Sequence, residues 1–279
     1  MTVQIDATEA DRALKAKHRA MWALGDYPVV AAQIIPELGA TLVEAAGVQS
    51  GDRVLDVAAG SGNAAIPSAL AGAEVVASDL TPELLESGKA LAAQRGADIR
   101  WDVADAEALP YVDGEFATVL SCVGVMFAPH HQASADELLR VCGAGGTIGL
   151  LSWTPEGFIG QMFAAMKPYA PPPPPGAQPP PLWGSEEHVQ ALFGDRVTDL
   201  VARRQTVTVD RFASPEEFRD YFKANYGPTV AAYRGIEGDP DREAALDRDL
   251  AELARRHDRG QGQTVMEWEY LLLTARKAG

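Results

Sequence analysis

The spacing of apolar positions changes along the chain, and those changes divide it. Between residues 9 and 24 they recur at helical intervals, with Leu14, His18, Met21 and Trp22 on one face. Asp26, Tyr27 and Pro28 break this helix, and a second is predicted from Val29 to Ala46. After a turn over Gly47 to Asp52, short apolar runs alternate with helical segments. Strands are predicted at Arg53 to Ala58, Glu74 to Ser78, Ile99 to Val103, Phe116 to Ser121 and Thr147 to Trp153. Helices are predicted at Asn63 to Ala71, Thr81 to Gln94 and Ser134 to Val141. Thr81 reads as an N-cap, with Pro82 at the first helical position. Buried strands alternating with helices imply an α/β fold, a parallel sheet covered on both faces.

The alternation fails after Trp153. A short helix, Phe158 to Met166, leads into the proline runs Pro171 to Pro175 and Pro179 to Pro181. Such a stretch is extended and stiff, and flanking Tyr169 and Trp183 favour a structural strap over a ligand for a proline-binding module. Helices follow at Glu186 to Phe193, Pro215 to Tyr233 and Arg242 to His257, with strands at Arg203 to Val209 and Thr264 to Thr274. The reading is one domain over residues 1–279. It comprises a helical cap (1–50), a core (51–153), and a strap with cap helices and final strands (154–279). The material outside the core leaves the sheet where a ligand enters, and is expected to roof the pocket.

Composition narrows the function. With 279 residues, 47% hydrophobic and 23% charged, the chain can build one sizeable core. No apolar run reaches the roughly 18 residues of a membrane helix, and the first residues lack a basic-then-apolar leader. Cys122 and Cys142 lie in apolar surroundings and read as reduced, buried thiols. A cytoplasmic protein with no membrane partner is expected. The net charge of −15 repels phosphate backbones, which argues against nucleic acid as a partner. Nothing in the sequence specifies an oligomeric state.

The chemistry concentrates at the strand ends. Val54 to Asn63 reads as a strand, a glycine turn at Gly60 and Gly62, and a helix start, where backbone N–H groups approach a ligand closely. This segment also fits the dinucleotide fingerprint. Asp79 ends the next strand, at the place where an acid about 20 residues on takes ribose hydroxyls; it suits a nucleoside without choosing one. Asp56 does choose. A carboxylate just before the glycines repels a pyrophosphate but favours a sulfonium and an ammonium. Asp105 follows the third strand, placed to accept from the adenine amine, with Ala106 leaving room for the ring.

With Ser78 to Glu83, Asp105 to Phe116, Ser121 to Phe127 and Leu138 to Val141, these segments cover about residues 50 to 153 in order. Together they resemble the class I S-adenosylmethionine (SAM)-dependent methyltransferases, in particular the bacterial small-molecule group related to ubiquinone and menaquinone C-methyltransferases. The one departure is Gly143-Ala144-Gly145-Gly146, where that family has a lysine-proline-glycine-glycine turn. The resemblance implies a Rossmann-like, mostly parallel seven-stranded sheet and a helical cap. It implies that SAM is the cofactor and S-adenosylhomocysteine the product. Gly60 and Gly62 would then line the methionine part, Asp79 would hold the ribose, and Asp105 and Ala106 the adenine, with Asp56, Ala58, Asn63 and Leu80 among the other cofactor-binding residues. Ser121 and Val123 would lie beside the sulfonium.

The acceptor is expected to be a small molecule, with secondary metabolism as its setting, methylated at O, N or C. In-line displacement at a sulfonium requires positioning and exclusion of water. No carboxylate cluster for a metal is evident in the sequence. His130 and His131 follow the fourth strand and are the candidate general bases, or else loop residues that cap the backbone. His18, beside Trp22, reads as a packed histidine. Tyr27 either closes the site or packs in the core. Trp153, Phe158, Met162, Trp183, Phe222 and Tyr226 are candidates for an acceptor pocket, or ordinary cap packing. Competing readings are a catalytically silent SAM-binding scaffold or sensor and an NAD-dependent oxidoreductase, the latter disfavoured by Asp56 and Asp105.

Overall fold

A computed structural model describes residues 7–173 and 176–279. Pro174 and Pro175 of the proline strap, and the opening residues read for a leader, lie outside these. Among the described residues, seven strands form one sheet in the order β3-β2-β1-β4-β5-β7-β6. The first five are β1 (Arg53–Val57), β2 (Glu74–Asp79), β3 (Ile99–Val103), β4 (Phe116–Cys122) and β5 (Cys142–Trp153). They run parallel. The last two are β6 (Val197–Phe212) and β7 (Thr264–Lys277). β7 is antiparallel to both β5 and β6.

Strand composition explains the layering. Val54, Leu55, Asp56 and Val57 of β1 are all buried, as a central strand covered on both faces must be. Helices α4 (Ala65–Leu70) and α5 (Pro82–Arg95) link β1 to β2 and β2 to β3 in one direction. Helix α6 (His131–Val141) links β4 to β5 in the other. Right-handed crossovers running in opposite directions put these helices on opposite faces and leave a crevice between β1 and β4.

Four elements differ from their sequence reading. The helix expected from Val29 to Ala46 is two, α2 (Tyr27–Ile34) and α3 (Leu38–Ala46), bent by 72°. Pro36, between them, has no N–H to continue the ladder. Likewise α9 (Pro215–Asn225) and α10 (Gly227–Arg234) part just before Pro228. β5 starts at Cys142, five residues early, because Gly143 to Gly146 form an irregularity between the pairs Phe116–Cys142 and Thr118–Thr147. β6 is longer than its apolar core because it is an edge strand with mostly exposed residues. The remaining helices are α1 (Ala7–Trp22), α7 (Phe158–Met166), α8 (Glu186–Phe193) and α11 (Pro240–His257).

Both cysteines are free and buried. No single helix among the described residues is long and apolar enough to cross a membrane. The bent α2–α3 pair buries Val30, Ile34, Leu38 and Leu42 in the core.

Candidate cofactor and acceptor site

A cavity of about 760 Å³, counting its open mouth, lies over the carboxyl ends of β1, β2, β3 and β4. Its floor is built from the turns leaving those strands: Ala58 to Gly60, Asp79 to Thr81, Ala104 to Ala106, and Cys122 to Gly124. The crevice beside the strand-order reversal is where open α/β sheets take ligands.

The strand ends hold this floor under strain. Ala58 (φ 54°) and Val123 (φ 46°) both sit in the left-handed region, which a β-branched residue rarely enters. Their turns touch, for a Cβ on Gly124 would lie 2.1 Å from the Ala58 carbonyl oxygen. Gly60 has φ 56°, and the Tyr27 ring lies 3.5 Å from where its Cβ would be. Glycine is favoured there by the positive φ of the turn; the ring distance is ordinary van der Waals contact.

Asp79 is buried and ties two loops together. One carboxylate oxygen accepts from Gly60 N at 2.9 Å and the other from Thr81 N at 2.8 Å. Burial raises its pKa, while these N–H groups oppose the rise. Thr81 does occupy the N-cap of α5, but its hydroxyl makes no capping bond to that helix.

Ala58, Gly60, Asn63, Asp79, Leu80, Asp105, Ala106, Val123 and Tyr27, all named from the sequence, line the cavity. Five other predicted residues do not. Asp56 is 1% exposed and turns inward, accepting from Ala65 N at 2.8 Å; its second oxygen has no partner. Burial, with a lesser contribution from Asp79, pushes its pKa up to about 7. It shapes the turn from behind. A Cβ on Gly62 would meet Trp101 of β3 at 2.8 Å and Ile66 of α4 at 3.2 Å, so Gly62 serves the packing of α4 against the sheet. Ser121 donates to the Val57 carbonyl at 2.6 Å and accepts from Val125 N at 2.8 Å, fastening β4 to β1.

The two candidate bases also move. His131 is fully buried, 2.9 Å from His188 and against Trp183, and burial lowers its pKa to about 3. It faces the packing between α6 and α8. His130 lies beside the cavity rather than on its wall; its ring nitrogen is 2.9 Å from Glu107.

Sequence reasoning placed the N-terminal cap over the pocket but missed Lys15 in the wall that α1 contributes. Lys15 pairs with Asp105 at 2.9 Å and also contacts Glu107, which accepts from His130 N at 2.7 Å. Asp11, Glu107 and His130 bring ligand atoms within 4.8 Å of one another, a cluster invisible in the sequence because its members are far apart. The Lys15 ammonium already supplies the cation there, lying 4.0 Å from Asp11 as well. The helical spacing of Lys15, His18 and Trp22 was the available signal, since all three face the cavity. Trp22 meets Phe127 at 4.6 Å between ring centroids, Tyr27 at 5.3 Å and Tyr226 at 5.8 Å, all edge-on. Phe163 packs behind Phe127 at 5.9 Å. Trp153, Phe158 and Trp268 instead form a separate stack.

The cavity thus offers acidic strand ends, an apolar aromatic roof and a glycine turn. It fits a nucleoside with a cationic tail better than one with a pyrophosphate, since a cation favours the charged forms of Asp79 on the floor and Asp56 behind the turn, whereas a pyrophosphate opposes them.

Comparisons with known proteins agree. Residues 54–146 match the family model described as a methyltransferase domain. The core of the chain is a methyltransferase domain of the class I SAM-dependent type; SAM is its cofactor and methyl transfer its reaction. Within that class it matches two uncharacterized proteins of Mycobacterium tuberculosis along nearly its whole length. Each is 53% identical over 277 residues, 99% of this chain and 100% of theirs. A demethylmenaquinone methyltransferase of Renibacterium salmoninarum is 39% identical over 117 residues, 42% of this chain and 48% of that one. The YcgJ protein of Bacillus subtilis superposes with a TM-score of 0.60 at 17% identity, covering 87% of this chain and 99% of its own.

Proposed function

We propose that the chain methylates a small molecule at an oxygen, nitrogen or carbon atom, without a metal. The observation that carries this is the cavity itself, which joins a nucleoside-sized acidic floor to an apolar roof. When bound, SAM supplies a methyl group on a sulfonium, whose departure as a neutral thioether needs no Lewis acid.

In this reading Ala58, Gly60 and Asn63 surround the methionine part, and Asp79 holds the ribose hydroxyls. Leu80, Asp105 and Ala106 flank the adenine, while Val123 and Tyr27 border the reacting end. Lys15 neutralises Asp105 and draws α1 over the cavity, which excludes water. The Renibacterium relative's name supports a small-molecule acceptor.

Asp79→Ala tests the assignment. It removes a buried charged acceptor from the ribose and releases the Gly60 turn. SAM affinity measured by calorimetry should fall roughly 10- to 100-fold. Unchanged affinity would remove Asp79 from the site. A protein that binds SAM but transfers no label from methyl-labelled SAM to any component of a metabolite extract would be a sensor or scaffold instead.

A further inference from the structure

The reaction at this site needs an atom that can take a proton whenever the acceptor is a hydroxyl. Most titratable groups on the cavity wall are already committed. Asp79 spends both oxygens on backbone N–H groups. Asp105 and Lys15 hold each other. The Tyr27 phenol and the Cys122 thiol are buried, and burial pushes both far up, so they keep their protons. His18 remains, on the face of α1 between Lys15 and Trp22. Among the described residues it has no hydrogen-bonded side-chain partner.

We propose that His18 is the proton acceptor of this site, and that the acceptor molecule is a flat, conjugated compound whose hydroxyl meets His18 beneath Trp22 and Phe127. The proposal rests on the methyltransferase reading above. The roof defines the compound. Trp22, Tyr27 and Phe127 line the cavity, and Phe163 and Tyr226 back them, giving a continuous aromatic shell. Such a shell favours a flat π-system over a sugar or an amino acid. As the acceptor oxygen would bond to the methyl carbon, the methyl–sulfur bond would break with its electron pair left on sulfur; the acceptor's O–H bond breaks, its pair stays on oxygen, and the proton passes to the free imidazole nitrogen.

The surroundings keep that nitrogen unprotonated at neutral pH. Burial lowers the His18 pKa below its ordinary value, and the Lys15 charge on the same helix lowers it further. Glu107 and Asp105, from the loop after β3, and the Phe127 carbonyl, from the turn after β4, act the other way without reversing the shift.

The test uses 2-naphthol as probe, with wild type, His18→Gln and His18→Asn. SAM binding by calorimetry should be similar in all three. In the S-adenosylhomocysteine-loaded wild type, 2-naphthol should shift the His18 imidazole resonance and move its NMR titration downward, because the hydroxyl donates to the neutral ring. With SAM, the wild type should methylate 2-naphthol at a rate that rises with pH through the His18 titration and then levels. Both variants should lose roughly 100-fold in kcat, keep KM within a few-fold, and lose that limb. Loss of SAM binding in wild type would sink the methyltransferase reading itself. If wild type binds SAM but 2-naphthol leaves His18 unmoved or unmethylated, only this inference falls. It falls equally if a variant keeps the wild-type kcat and pH profile, or if a variant loses SAM binding.

Discussion

At the scale of single residues, Asp56 shows how the cavity is prepared for a cation. Its carboxyl is buried, has one unpartnered oxygen, and titrates near pH 7 rather than its ordinary 3.8. A carboxyl whose pKa is raised on folding binds extra protons in the native state. The stability it contributes is present below about pH 4 and lost as pH rises through about 7. In the ligand-free protein, melting temperature should therefore fall from pH 5 to pH 8 more steeply in wild type than in Asp56→Asn. Asparagine can still accept from Ala65 N. His131, neutral when folded, pushes stability the opposite way over an overlapping range, but it is common to both proteins and cancels. Saturating SAM should narrow the gap by compensating the charge. Parallel melting curves across pH would refute this account of Asp56. The sequence indicated an acid at this place. It did not indicate that Asp56 faces Ala65 rather than the ligand, because an inward turn of one side chain leaves no mark in spacing.

At the scale of elements, the first five strands and their crossovers were legible because apolar runs bounded by glycines leave few alternatives. The splits at Pro36 and Pro228 were carried by those prolines, yet continuous apolar spacing on either side concealed them. β6 was half legible, since an edge strand with exposed Arg203, Arg204 and Asp210 lacks alternation. The pairing of Lys15 in the opposite wall was illegible. Lys15 meets Asp105 across 90 residues, and only the fold joins them. One close approach makes the cap's dependence on glycine testable. On α3, a Cβ at Gly39 would lie 1.7 Å from the Asn63 carbonyl oxygen, in the turn that lines the cavity. Gly39→Ala must push α3 and that turn apart. The expected cost is about 1–3 kcal/mol, seen as a drop of several degrees in melting temperature, together with weaker SAM binding. A variant that melts and binds like wild type would show that this contact has slack.

At the scale of the molecule, the sheet supplies the cofactor floor and the helices outside its core supply the roof. α1, α2 and the junction of α9 with α10 bring Trp22, Tyr27 and Tyr226 together over the strand ends. The strap contributes at one remove: Gln178 N donates to the Pro129 carbonyl at 2.9 Å, bracing the loop that borders the cavity. The division into floor and roof explains why the cofactor could be read from motifs, whereas the acceptor side depends on residues from four distant segments. The central claim is that the floor selects SAM over a dinucleotide, because Asp56 and Asp79 disfavour a pyrophosphate and favour a cation. Calorimetric titration of the ligand-free protein with SAM and, separately, with NAD tests it most directly. The account predicts one SAM bound per chain with micromolar affinity and no measurable heat from NAD; NAD binding as tightly as SAM, or no SAM binding at all, would contradict it.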